Sequence, residues 1–82
     1  MNLVMCGPDF FDVTYELSTN RWMNVRDGPD KELARRQWNN LMDSYLRNRI
    51  NVRAMPGQSG LSDMVFAANA GLPIGRHFIV SR

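Results

Sequence analysis

Eighty-two residues make one small domain at most, and a chain of this length buries only about 60–65% of its unfolded surface, so marginal stability is expected. A composition that is 44% hydrophobic and 22% charged is globular and argues against disorder. Ten basic residues against eight acidic ones, mixed along the chain, leave a net charge of +2 and exclude the electrostatic footprint of a nucleic-acid binder; the single cysteine excludes an internal disulfide.

From the N-terminus, Leu3, Val4 and Met5 form a short apolar run over Asn2 to Cys6 that Gly7-Pro8 ends, as a buried strand and its stop would. Neither a basic region nor a long apolar core precedes it, so no signal peptide is read, and a reduced cytoplasmic setting is expected. Nowhere does the chain approach the ~20 apolar residues of a membrane span. Residues 9–28 mix large apolar side chains (Phe10, Trp22, Met23) with turn formers. Phe11, Val13, Tyr15 and Leu17 alternate as in a strand, but a long ordered loop with aromatic anchors, of the kind that serves as a lid, fits the whole stretch better.

A helix is predicted over about 30–48. Asp30 is the N-cap candidate, Asp30 and Glu32 sit at the positive end of the dipole, and Arg47 and Arg49 at the negative end. Ala34, Trp38, Leu41, Met42 and Tyr45 fall on one helical face. Ile50, Val52 and Ala54 then alternate as a strand until Pro56-Gly57. The apolar run GLSDMVFAANAG, Gly60 to Gly71, reads as another buried strand. A turn is expected around Leu72-Pro73-Ile74-Gly75 and a terminal strand from His77, which stops at Arg82 without a turn or polar tail, as the first piece of a longer protein would. The predicted order is strand, loop, helix and three strands, one α/β module.

Few side chains carry chemistry. Cys6 ends an apolar strand with nothing placed to lower its pKa, so it reads as a small buried hydrophobe rather than a nucleophile. His77, at a strand start, reads as a surface residue. One Cys and one His fall short of the about four ligands of a structural zinc site, and no Gly-rich phosphate loop is present, so neither metal nor cofactor is expected. Arg35, Arg36, Arg47, Arg49 and Arg53 read as a solvated face, with no nucleic-acid partner. Asp63 and Asn69 are harder to place, because a buried polar group without a partner costs several kcal/mol. Either Asp63 caps a turn after Gly60 and Asn69 takes a left-handed conformation before Gly71, or the two hold a cationic or amide-rich ligand.

The stretch SDMVFAANAG resembles the P-D-x-V-F-x-A-N-A-G motif of the guanidine-modifying enzymes, the pentein superfamily of dimethylarginine dimethylaminohydrolases, arginine deiminases, arginine dihydrolases and amidinotransferases. VMCGPDFFDVTYEL is similar to its opening M-C-x-P-x-x-F-x-V-x-Y, NRWM to its N-P-W-M, and ARRQWNNL to its A-x-x-Q-W-x-x-L helix. Ser62 and Arg21 stand where two of these motifs have proline, and Ser18-Thr19 are extra residues before Asn20.

The resemblance implies a fold of five ββαβ-type modules in an α/β-propeller, of which residues 1–82 would be the first, with a lid-like loop at about 9–28. It implies covalent catalysis by a cysteine thiolate on the guanidinium carbon of an arginine-like substrate, with nucleophile, histidine and acid all beyond Arg82 and no catalytic residue in this chain. Cys6 matches a strand-end cysteine that is not the nucleophile. The expected substrate contacts are Asp63 to the α-amino group, Asn69 at the guanidino group, and Asn20 from the lid. Having Ala68-Asn69 where the dimethylarginine hydrolases carry acids resembles the arginine and succinylarginine dihydrolase branch. A homo-oligomer fits this reading. The alternative is a non-catalytic, stand-alone α/β module for binding or assembly.

Overall fold

The computed structural model describes residues 1–82. Strands β1 (Asn2–Cys6) and β2 (Asn51–Met55) run parallel, in register from Asn2 opposite Asn51 to Cys6 opposite Met55. Parallel neighbours cannot be joined by a tight turn. Helix α1 (Lys31–Arg47) supplies the crossover. Its start is set by Asp30, which has extended backbone angles and accepts a hydrogen bond from the Leu33 N–H at 3.0 Å. Its end is a Schellman motif: the Ile50 N–H reaches the Tyr45 carbonyl at 3.0 Å and the Arg49 N–H the Leu46 carbonyl at 3.1 Å. That motif needs a left-handed residue, and Arg49 takes the role at φ 61° although glycine would do so with less strain. Along the predicted apolar stripe, Ala34, Trp38, Met42 and Tyr45 are half-buried and Leu41 stays exposed.

The run from Gly60 to Gly71 is not the buried strand expected of it. Met64–Ala70 is a 3₁₀ segment, kinked at Phe66 (φ −87°, ψ 46°), lying against β1. Gly60, at φ 84°, turns the chain into it, and the Phe66 N–H closes a turn on the Asp63 carbonyl at 3.0 Å. Ala67, Ala68 and Ala70 have no branched side chains to favour a pleated surface. The segment joins neither sheet, and its backbone N–H groups bond in local turns.

Strands β3 (Gly71–Ile74) and β4 (His77–Val80) then form an antiparallel hairpin. The turn lies later than the sequence suggests, at Gly75-Arg76, where Gly75 takes φ 59°. Leu72, Pro73 and Ile74 belong to the strand, and Pro73 is tolerated opposite Phe78 because a two-stranded ribbon has only edges. Gly71 must be glycine for a different reason: a Cβ there would overlap the Ile79 carbonyl oxygen and the Phe78 ring.

Residues 9–28 pair with no strand and are shaped by short turns. Two ion pairs root them on α1: Asp9 with Arg35 at 3.3 Å and Asp12 with Lys31 at 3.4 Å. Buried residues are scarce. Only Cys6, 1% exposed, and Pro8 beside it are fully enclosed, while every residue of the β3–β4 hairpin except Gly71 is exposed. The chain as a whole is a βαβ unit followed by a hairpin, with its core confined to the end of β1.

Candidate functional site

A cleft of about 450 Å³ opens between the 9–28 segment and the 3₁₀ segment. Phe11, Asp12, Val13, Tyr15, Leu17, Asn20 and Met23 line one wall; Asp63, Phe66 and Asn69 line the other. The three residues singled out in the sequence as substrate contacts, Asp63, Asn69 and Asn20, therefore face one space, although Asn20 comes from a different part of the chain.

Each is held differently. Asp63 precedes the 3₁₀ segment, but its side chain caps nothing there. Its Oδ2 instead accepts a hydrogen bond from the Tyr15 hydroxyl, 48 residues away in sequence. Asn69 lies inside the 3₁₀ segment and is not left-handed, since Arg49 is the one non-glycine residue with positive φ. Its backbone carbonyl accepts from the Ser81 hydroxyl, which ties β4 to this wall, and its side-chain amide is exposed. Asn20 uses Oδ1 to accept from the Trp22 N–H at 3.2 Å, which leaves its amide N–H groups as the donors on offer. Neither local explanation, a side-chain cap by Asp63 or a left-handed Asn69, describes what these side chains do.

Two carboxylates and no Lys or Arg line the cleft. Asp12 is already compensated, because the Val13 N–H at 2.8 Å, and then Lys31, hold its carboxyl below the usual carboxylate range. Asp63 is the uncompensated charge. The hydrogen bond to it, with lesser contributions from desolvation and from its charge, pushes the Tyr15 hydroxyl above the ordinary tyrosine pKa. Phe11 meets Phe66 edge-on across the cleft floor, ring centroids 5.7 Å apart. A carboxylate, two amides and aromatic rings around one space suit a ligand that is cationic and rich in N–H groups.

Other places offer less. A second cleft of about 370 Å³ lies at the C-terminal ends of β1 and β2, but its charged groups, Asp9 and Arg35, already satisfy each other. Cys6 is enclosed, and burial, reinforced by the Asp9 charge, pushes its thiol pKa up, away from the thiolate a nucleophile requires. His77 starts β4 on the exposed face of the hairpin. No helix is long and apolar enough to cross a membrane.

Sequence reasoning missed Asp12 and Tyr15 as lining residues. For Tyr15 the signal was present in the alternation of Phe11, Val13, Tyr15 and Leu17, all of which line the cleft without forming a strand; for Asp12 there was none.

No family model matches the chain. It is 42% identical over 67 residues to the N(G),N(G)-dimethylarginine dimethylaminohydrolase of Mycobacterium tuberculosis, across 82% of this chain and 22% of that protein. It is 37% identical over 84 residues to ArgZ, the bifunctional arginine dihydrolase/ornithine cyclodeaminase of Synechocystis sp., across 100% of this chain and 11% of that protein. The chain is similar to the guanidine-modifying group that contains these two hydrolases, and its match to ArgZ lies within that protein's N-terminal domain. Within that group, the fold matches the crystal structure of the N-terminal domain of ArgZ bound to product, with a TM-score of 0.81 at 37% identity over 96% of this chain and 28% of that chain. The chain thus spans less than a quarter of the length of either relative.

Proposed function

We propose that the chain forms the first module, a βαβ unit plus a hairpin rather than the expected ββαβ order, of an α/β-propeller hydrolase that acts on the guanidino group of arginine or an arginine derivative. The observation that carries this reading is the cleft: Asp63, Asn69 and Asn20 meet in a space whose one uncompensated charge is negative. Similarity along the whole of this chain to part of an arginine dihydrolase supports it.

In this reading the Asp63 carboxylate holds the substrate's α-ammonium group by a charge-assisted hydrogen bond. Asn69 faces the guanidino group, where an amide both donates to and accepts from a ureido product without the attraction for a cation that a second acid would add. Residues 9–28 act as the lid and bring Asn20 over the substrate. A cysteine thiolate supplied from outside residues 1–82 attacks the guanidinium carbon and forms a tetrahedral adduct; an amine leaves with a proton, and water then cleaves the carbon–sulfur bond. A histidine and an acid, also from outside, move the protons. The chemistry uses no cofactor. The exposed faces of β1 and the hairpin are covered by the neighbouring modules, and the protein works in the cytoplasm.

The test is turnover by the complete gene product that carries this chain, with L-arginine and dimethylarginine as substrates and ammonia, dimethylamine, citrulline and ornithine counted separately. Release of any of these from a guanidine substrate, abolished by changing a downstream cysteine and retained within a few-fold in Cys6→Ala, is the expected result. A folded protein that neither turns over nor binds these compounds overturns the reading and leaves a stand-alone assembly module.

A further inference from the structure

Asp63 has an unusual support. A carboxylate that precedes a 3₁₀ segment commonly caps it, yet Asp63 makes no such bond and is solvent-exposed. The hydrogen bond that does fix it comes from Tyr15, on the opposite wall of the cleft. It is the one polar side-chain link between the 9–28 segment and the 3₁₀ segment, and the Phe11–Phe66 ring contact is its apolar companion. On the other side, Asp9 and Asp12 anchor the same segment to Arg35 and Lys31 of α1. Tyr15 is therefore carried on a stem held at both ends, and its hydroxyl is presented from a fixed direction.

We propose that Tyr15 is a positioning residue for the cleft: by donating to Oδ2 of Asp63 it holds that carboxylate in one rotamer and leaves Oδ1 as the acceptor for the ligand's ammonium group. This rests on the functional reading above and adds to it a reason why an exposed carboxylate is ready to bind. Without the hydroxyl, Asp63 would sample several χ1 rotamers and lose that freedom only on binding, a cost of the kind that preorganisation removes. The same bond couples ligand binding to the segment that carries Asn20, since whatever orders Asp63 also orders the stem.

The experiment compares wild type, Tyr15→Phe, Asp63→Asn and the double variant in the complete gene product, with L-arginine and its analogue lacking the α-amino group as substrates. Tyr15→Phe is expected to raise KM for L-arginine about three- to tenfold, the size of one orienting hydrogen bond, with kcat within about twofold. On the des-amino analogue Tyr15→Phe should equal wild type, and in the Asp63→Asn background it should add nothing. An equal loss on both substrates, additive effects of the two changes, or no change at all overturns the role of Tyr15 and leaves a structural tether or a bystander. Urea unfolding is read alongside. A Tyr15→Phe protein that fails to fold also overturns the proposal, because a positioning hydroxyl on a ring 42% exposed is dispensable for the fold. A wild type that turns over neither substrate overturns the functional reading instead, so the two failures are told apart.

Discussion

The β1–α1–β2 unit and the walls of the cleft are built by different physics. The first is held by backbone geometry: a parallel ladder, an N-cap at Asp30 and a Schellman stop at Arg49. The second is held by side chains that meet across long sequence separations, Tyr15 with Asp63 and Phe11 with Phe66, plus one contact from Ser81 to the Asn69 carbonyl. The scaffold is specified locally and the site is not. Changes to one region should therefore be readable without changing the other, except where a single residue ties them together.

Gly71 joins the hairpin to the cleft wall, and its replacement should have the largest effect. It follows Asn69 by two residues and opens β3, with the Ile79 carbonyl and the Phe78 ring filling the place of a side chain. Gly71→Ala should cost about 2–3 kcal/mol, the upper range for forcing atoms into occupied space, and should shift the hairpin away from the cleft wall. Amide exchange checks this: protection should fall in β3, β4 and the 3₁₀ segment while α1 keeps its own. Equal loss everywhere would mean that the two regions unfold as one.

The same division explains what the sequence made legible. Asp30 and the apolar stripe from Ala34 to Tyr45 are local signals, and α1 lies where they put it. The Gly60–Gly71 run misled because an apolar stretch of that length is consistent with a strand or a helical turn, and periodicity alone does not decide between them. Resemblance, not periodicity, singled out Asn20 as a companion of Asp63 and Asn69. The Tyr15–Asp63 bond had no signal at all, since nothing local relates residues 48 positions apart.

Next in size come the cleft residues themselves. Asp63→Asn in the complete gene product should weaken use of free arginine about ten- to a hundredfold, the value of one charge-assisted hydrogen bond, with α1 and the hairpin unaffected. Asn69→Ala should lower kcat more than it raises KM, as for a contact made mainly in the transition state. Steady-state kinetics of the two variants separates binding from chemistry. If both match wild type, these side chains are turn formers and the cleft is not the site.

Two changes in α1 sharpen the comparison from the scaffold side. Asp30→Ala removes the side-chain cap and should cost about 1 kcal/mol of stability. Arg49→Gly relieves the left-handed strain and should add up to about 1 kcal/mol. Urea midpoints measure both, and both should leave KM unchanged. A change in KM with Asp30→Ala would show that the helix start, through Lys31 and Asp12, sets the cleft as well.

That last link has its own, smaller test, through pH. Asp12 titrates below the usual carboxylate range in the folded chain, because the Val13 N–H and then Lys31 favour its charged form. A group with a depressed folded pKa contributes stability that is fully present above its unfolded pKa and is lost as pH falls through the folded value. The root of the 9–28 segment should therefore be firm at neutral pH and loosen only below the ordinary range of aspartate, about pH 4. The Val13 amide proton, followed by NMR as pH is lowered, reports the change directly, and Asp12→Asn should flatten its titration. Because this ion pair is well exposed, salt should weaken it at neutral pH in the same direction. An amide shift that moves with pH near neutrality, or survives in Asp12→Asn, would place the control of this segment elsewhere.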